Sequence, residues 1–547
     1  MRRARVLLAL AVTAALTASV FLSAGPAGAV RHQGATDSVC SLLSRPDVMS
    51  QISAAGEVAL KVRCGLIARS DAAADHGPSG INGRPDLLVN DRSTDTWTHV
   101  TQSETTVAIS GDTVLAGWND SGEFNPNGDF SGYGRSTDRG ETWTDMRTPT
   151  TPLGAVSAVF GDPVLMADLD RNPGDAGVFY FSNLAEGGGG NAIISVHKTT
   201  DGGQTWDSAA NASPAAPGGT FPDKEWLAVD SRPSGTGAGN VYVCYRLFGG
   251  GDGIRFSRST NGGATFTELP ATISANPSAT QGCWVAVNPT NGHVYVAWRN
   301  TNAVPLTMRF RRSIDGGVTF EPEITIGQFP APENNTAACG RPAFVDDEAN
   351  ASQRAIRSAS FPQIAVDPDT GNIALVAHSA GLAGGSESDI AYTTSTDGGS
   401  TWSAPVRVNN VVTGQQFFAS VAVNQHGKLR AMFYSTQNSP TDRLIDVYVS
   451  SSSDWGVNWS GPRRITEVSF DRPITNPNFD TFVVSCYMGD YNQIQSPLPG
   501  LGSKQFWASW GDNRLDGNPN VGGIQPDPDV RVERQRQDFP PPGSPGL

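Results

Sequence analysis

Lysine is nearly missing from this chain: of 39 basic residues only five are lysine, set against 53 acidic residues and a net charge of −14. With no dense basic run, the chain lacks the electrostatic footprint of a nucleic-acid binder or of a protein drawn to anionic membranes. Histidine is sparse too, at seven, and no cysteine stands in a CxxC pair or beside a histidine at ligand spacing, which argues against a zinc site. Beyond residue 29 no apolar stretch nears the ~18 residues needed to cross a bilayer, so no membrane span is expected. What abounds is glycine, 61, and proline, 37, together with 12 tryptophans. That mix suits a turn-rich all-β chain.

Residues 1–29 have the three parts of a signal peptide: Arg2, Arg3 and Arg5, an apolar run from Val6 to Leu22, and Ala27-Gly28-Ala29 before the cut. The expected product is secreted, extracellular and monomeric. Six cysteines in an exported chain point to disulfides. Cys40 and Cys64 bracket a stretch of helical character, so residues 30–75 read as a small helical hairpin stapled outside the main domain. Cys283 with Cys339 is the second pair expected, and Cys244 and Cys486 remain open. A Gly/Pro-rich linker covers 76–90, and a Pro/Gly-rich tail, 537–547, is too poor in apolar residues to fold.

One pattern recurs six times: STDRGETW from Ser136, TTDGGQTW from Thr199, STNGGATF from Ser259, SIDGGVTF from Ser313, STDGGSTW from Ser395 and SSDWGVNW from Ser452. Its third residue, Asp138, Asp201, Asn261, Asp315, Asp397 and Asp454, can accept backbone N–H bonds across a tight turn. A glycine supplies positive φ and an aromatic ring buries itself against a neighbour. Three β-like runs precede each copy, seen plainly in WLAVD, NVYVCYR and GIRFSRS. With the strand after the turn, each unit is a four-stranded meander, and radial repetition of such units makes a β-propeller.

The repeats resemble the Asp-box (BNR) repeats of the sialidase superfamily, over residues 91–536. The fold class expected is therefore all-β, a propeller of four-stranded blades with a small N-terminal helical segment. Seven blades are expected, six being the alternative, because residues 479–534 offer three more strands without a box. Their outer partner would come from the chain before blade 1, where Ser93 to Trp97 looks like a shortened box. The resemblance implies that the boxes lie on the face away from the active site.

In a meander, the starts of first strands and the ends of second strands converge on the other, axial face. Those points offer Glu104, Asp162, Glu225, Asp490 and Tyr491 from first strands, and Asp120, Arg246, Arg299, Tyr434 and Arg514 from second strands. The resemblance implies an arginine set for a sugar carboxylate, a Tyr nucleophile with a Glu partner, and an Asp acid/base. Here Arg246, Arg299 and Arg514 would bind the acid, with Glu104, Asp490 and Tyr491 also meeting substrate. Tyr434 or Tyr491 would be the nucleophile, Glu225 or Glu104 its partner, and Asp120 or Asp162 the acid/base. The first blade, TQSETTVAISGDTVLAGWND, holds no arginine, a departure from the family's Arg-Ile-Pro opening. No cofactor is expected, though Asp120, Asp162, Glu225 and Asp490 could instead hold Ca²⁺.

Three functions fit: a secreted exo-α-sialidase-like glycosidase, a hydrolase or lyase of another acidic polysaccharide, and a non-catalytic propeller that binds glycan or protein. The first is favoured, with a carbohydrate or glycoconjugate as substrate.

Overall fold

A computed structural model describes residues 39–66, 86–95, 99–127, 129–149, 156–168, 177–301, 305–333, 342–345, 355–382, 388–439, 444–471, 480, 482–483, 486–497, 504–514 and 528–535. The signal-peptide and tail assignments, most of the linker, and Cys339 lie outside these residues.

Seven antiparallel sheets, each a meander, follow one another around an axis. Their innermost strands are Gln102–Ser110, Val156–Asp168, Phe221–Val229, Thr280–Val287, Gln363–Val366, Gln416–Val423 and Gln493–Gln495, and each packs against the next, the last returning to the first. The fold is a seven-bladed propeller. Apolar side chains alternate along these strands and fill the spaces between blades, so the core is a set of inter-blade seams.

The six repeat turns join third to fourth strands in blades 1 to 6. In the first, Asp138 Oδ1 accepts from the backbone N–H groups of Glu141 and Thr142 at 3.0 and 2.9 Å, and Ser136 Oγ accepts from Gly140 N at 2.8 Å. The other five repeat the glycine bond and the bond from the residue four along, as in Gly203 N to Thr199 Oγ1 and Thr205 N to Asp201 Oδ1. Each turn also leans on the preceding blade: Tyr133 OH donates to Gly203 O, Tyr180 OH to Gly262 O and Tyr392 OH to Trp455 O, at 2.9 to 3.2 Å. Trp507 of blade 7 closes the series by donating to Arg139 O at 3.0 Å. The repeats are therefore mortar between blades.

The seventh blade takes its outer strand from before blade 1, through Leu87–Leu88 paired with Val532 and Arg531. This strand lies inside the stretch read as linker, whereas Arg92–Thr94, in the supposed shortened box, forms a 3-10 turn. Strand pairing there follows the buried pair of leucines, which the box-like lettering obscured. Arg514 locks the same seam, donating to Asp512 and Asp86 at 2.6 Å each, all three side chains being almost fully buried.

Two disulfides are resolved. Cys40–Cys64 is the expected staple. Cys283 pairs with Cys244, not with Cys339, because the second strand of blade 3, which carries Cys244, packs against the innermost strand of blade 4, which carries Cys283, with Cα atoms 6.2 Å apart. Cys486 is disulfide-bonded as well.

The hairpin is not held apart from the ring. Residues Ser41–Ser44 and Pro46–Met49 form short turns and Ala54–Arg63 a helix, with Glu57 in its first turn and Lys61 and Arg63 in its last, as the helix dipole favours. Val39, Leu42, Val48, Ile52, Ala55 and Leu60 are buried in the main core cluster. The hairpin sits on the face opposite the repeat turns.

Candidate functional site

The innermost strands of blades 1, 2, 3, 4 and 6 each break register at the same height: after Ser103, Gly161, Asp223, Gln281 and Phe417. The residue that follows the break, or stands within it, has left-handed backbone: Glu104, Asp162, Lys224, Gly282 and Phe418, with φ from 50° to 62°. Such bulges re-aim a side chain, at a cost of order 1–3 kcal/mol for a non-glycine residue. Here three charged side chains, one from each of blades 1 to 3, turn towards one another at the axis.

Lys224 Nζ is their hub. It lies 2.9 Å from Glu104 Oε1, 2.8 Å from Asp490 Oδ2 and 3.8 Å from Asp162 Oδ1. Glu104 Oε1 also accepts from Asp490 N at 3.1 Å. Arg357, from a small inserted ribbon of Ala343–Val345 and Ala355–Arg357, donates to Asp490 Oδ2 at 3.0 Å. Glu225 is buried beside them, and neither carboxylate oxygen has a hydrogen-bond partner among the described residues. Five carboxyl groups, Glu104, Asp162, Asp223, Glu225 and Asp490, thus share a closed space with the cations Lys224 and Arg357. They cannot all ionise.

The titration behaviour follows. Burial, reinforced by the Asp162 charge, pushes Glu104 and Glu225 well above the ordinary carboxylate range. Burial also raises Asp162 and Asp223. Burial opposes the charge of Lys224, but Asp162, Asp490 and Glu104 outweigh it and hold the ammonium firmly protonated. Tyr487 and Tyr491 are both raised by burial and by the neighbouring Glu104.

Below this cluster Trp226 stacks on Trp284 with ring centroids 3.5 Å apart, and Tyr491 meets Trp226 edge-on. Beyond that aromatic floor a cavity of 340 Å³, lined by Trp284, Ala365, Val421 and their neighbours, opens towards the repeat turns. It is mostly apolar, and its Arg232 and Asp230 are paired with each other at 2.7 Å. The chemistry is on the hairpin side.

Of the sequence candidates, the axis brings together Glu104, Asp162, Glu225, Asp490 and Tyr491. Arg299 lies over the Phe361 ring, 5.3 Å from its centroid, and feels the Glu333 and Asp490 charges. Arg246 stands near Asp223 and Asp252, its Nε and Nη1 without hydrogen-bond partners among the described residues, and burial lowers it to about 10. Three candidates are elsewhere. Asp120 accepts from Trp118 Nε1 and from the backbone at Gly122, capping the helix Ser121–Asn127. Tyr434 OH donates to Gly511 O within a cluster of phenylalanines. Arg514 is committed to the ring seam. Second-strand ends therefore do not all reach the axis, because local partners hold some of them: a helix start, a backbone carbonyl and a carboxylate pair.

Sequence reasoning missed Arg357 and Tyr487 and gave no role to Lys224. Arg357 sits in an insertion outside any blade, and Tyr487 precedes the seventh blade's first strand, so the repeat could not register either. Tyr487 OH accepts from Asn119 Nδ2 at 3.0 Å, and its ring faces Arg357. Of the acidic set considered for Ca²⁺, Asp162 and Asp490 face the Lys224 ammonium instead and Asp120 lies elsewhere, and among the described residues no group of three or more His, Cys, Asp or Glu side chains is arranged to hold a metal.

No protein-family model matches the chain, and no curated protein is similar to it. Among solved structures it is similar to the NanB sialidase of Streptococcus pneumoniae, at 12% identity over 83% of this chain and 71% of that one, with a TM-score of 0.39. It is also similar to a GH93 α-L-arabinofuranosidase of Fusarium graminearum, at 12% identity over 82% and 98%, TM-score 0.40. A PL25 ulvan lyase is a third, at 8% identity over 81% and 96%, TM-score 0.43. These are likenesses of fold.

Proposed function

We propose that this protein is a secreted glycoside hydrolase acting at the axial chamber on an acidic sugar, in the manner of an exo-α-sialidase. The observation that carries the reading is the surplus of buried carboxyl groups around Lys224, which leaves a protonated acid next to ionised carboxylates. Glycosidic cleavage needs that pair of states: an acid to protonate the leaving oxygen and an anion to support the positive charge at the sugar carbon.

Glu225 is the acid, since burial and Asp162 keep its proton on and no hydrogen bond among the described residues competes for it. Asp490, bound to Lys224 and Arg357, supplies negative charge. Tyr487 is better suited than Tyr491 to be the nucleophile: Tyr491 OH donates to Pro163 O at 2.8 Å, whereas Tyr487 OH accepts from Asn119 and keeps its own proton to give to a carboxylate. Arg246, Arg299 and Arg357 form the cationic side for a sugar carboxylate, with Arg357 in the place expected of Arg514.

The test is release of a fluorogenic sialoside at mildly acidic pH by the purified chain and by Glu225→Gln. Loss of about 10²–10⁴-fold in kcat with the fold intact supports general-acid catalysis. Turnover unaffected by Glu225→Gln would remove Glu225 from the chemistry. A second reading rests on the mutual pairing of Lys224, Glu104 and Asp490, which a purely structural hub of a glycan-binding propeller would also show. Glycan binding without turnover in every form of the protein would favour it.

A further inference from the structure

We infer that the disulfide-stapled hairpin, residues 39–66, is an autoinhibitory cap that occupies the mouth of the axial chamber and must leave before substrate enters. The inference rests on the chamber being the working site.

Its bend is held by the chamber's own polar groups. Ser53 N and Ser53 Oγ both donate to the carboxylate of Asp223, the former at 2.9 Å. Gln281 Nε2 donates to Gln51 O at 2.7 Å and to Asp223 Oδ2 at 2.8 Å. Arg357 Nη2 donates to Ile52 O at 3.1 Å as well as to Asp490. Three consecutive residues, Gln51 to Ser53, therefore engage first-strand starts of blades 3 and 4 and the inserted ribbon. Around them Ala55 faces Gly161 of blade 2 so closely that a Cβ on that glycine would lie 2.7 Å from the Ala55 methyl. Leu42 covers Gly249 of blade 3.

The consequence is closure. Glu104, Asp162 and Asp223 are fully shielded from solvent, and Glu225 and Asp490 nearly so. A hydrolase needs water and a sugar at these groups, and in this arrangement neither reaches them. The hairpin is held to the ring through side chains that serve the chamber, so the same atoms that would meet substrate meet peptide. Binding of cap and of substrate is then mutually exclusive, and the cap's hold scales the apparent affinity down to the fraction of molecules that are open.

Gly56 offers a way to displace the cap without substituting a chamber residue. A Cβ there would stand 2.4 Å from Asp223 Oδ1 and 2.8 Å from Ser53 Oγ, so Gly56→Leu forces the helix start away. Cys40→Ser together with Cys64→Ser loosens the hairpin by a second route. The measurement is carboxyl labelling with a water-soluble carbodiimide and glycine ethyl ester, read by mass spectrometry at Glu104, Asp223 and Glu225, with Asp112, 63% exposed, as the surface standard. Hydrogen exchange over 39–66 is followed in parallel.

In the wild-type chain the axial carboxyls should label far more slowly than Asp112. In both variants their labelling should rise on the order of tenfold or more as exchange of the hairpin accelerates. Wild-type labelling at the rate of Asp112, or labelling that stays low in both variants, overturns the cap. Sialoside turnover is measured on the same samples. If labelling rises and turnover rises with it, cap and glycosidase stand together. If labelling rises and no sugar is released, the cap stands and the assigned substrate falls.

Discussion

Side chains buried without partners are the most informative single residues in this molecule. His197, in the third strand of blade 2, is fully shielded, and neither ring nitrogen has a hydrogen-bond partner among the described residues. Burial lowers its pKa to about 4. The folded state therefore refuses a proton that the unfolded chain accepts near its ordinary 6.5, so stability is complete above that value and falls as pH drops from about 6.5 to about 4, by roughly 1.4 kcal/mol per unit. Urea unfolding at pH 7 and pH 5 should show this decline in the wild type and a weaker one in His197→Leu. Parallel declines would mean that His197 is already solvated or charged. At this scale the sequence was partly legible. Glu104, Asp162, Glu225 and Asp490 could be found because first strands are numbered by the repeat. Asp120 and Tyr434 were misplaced because a residue's position along a second strand does not say whether its side chain is consumed by a helix cap or by a neighbouring backbone carbonyl.

The element that recurs is the turn of Asp138 and its five equivalents, and one copy departs from the rest. At Asn261 the amide Oδ1 accepts from Thr265 N at 3.0 Å and Nδ2 donates to Thr265 Oγ1 at 2.9 Å, whereas in the other Thr-bearing turns, as at Asp201, the Thr hydroxyl donates to the carboxylate at 2.6 Å. Charge-assisted bonds are about twice as strong as neutral ones. Asn261→Asp should therefore raise stability by roughly 0.5–1 kcal/mol at pH 7. In the native Asp turns the same hydrogen bonds hold the carboxyl below its usual range, at Asp397 down to about 2. The gain should accordingly vanish as pH falls from about 4 towards 2, and thermal unfolding across that interval would reveal it. An unchanged melting temperature at pH 7 would show that the turn's strength comes from its glycine and its ring alone. These turns were fully readable in the sequence because their bonds are local. The bulges of the inner strands were not, since a register break depends on what the neighbouring strand pairs with.

Over the whole molecule, the ring is held shut at one place by residues far apart in the chain. Arg514 is buried between Asp512 and Asp86, with Leu87–Leu88 pairing to Val532 and Arg531 alongside. Arg514→Ala would leave two buried carboxylates facing each other, a loss of about 3–5 kcal/mol. Arg514→Lys should recover only part of it, because one ammonium cannot span both partners as the planar guanidinium does. Denaturant midpoints of the two variants would decide this, and a change below about 1 kcal/mol in Arg514→Ala would show that strand pairing alone closes the ring. The seventh blade was predictable from leftover strands, but its outer partner was not, because two leucines carry too little pattern to announce a strand. That strand also has a meaning for synthesis. Leu87 leaves the ribosome long before its partner Val532, which is made more than four hundred residues later, so this end of the domain must wait with an unanswered edge until that partner is read. A chain cut short anywhere before Val532 carries that defect openly.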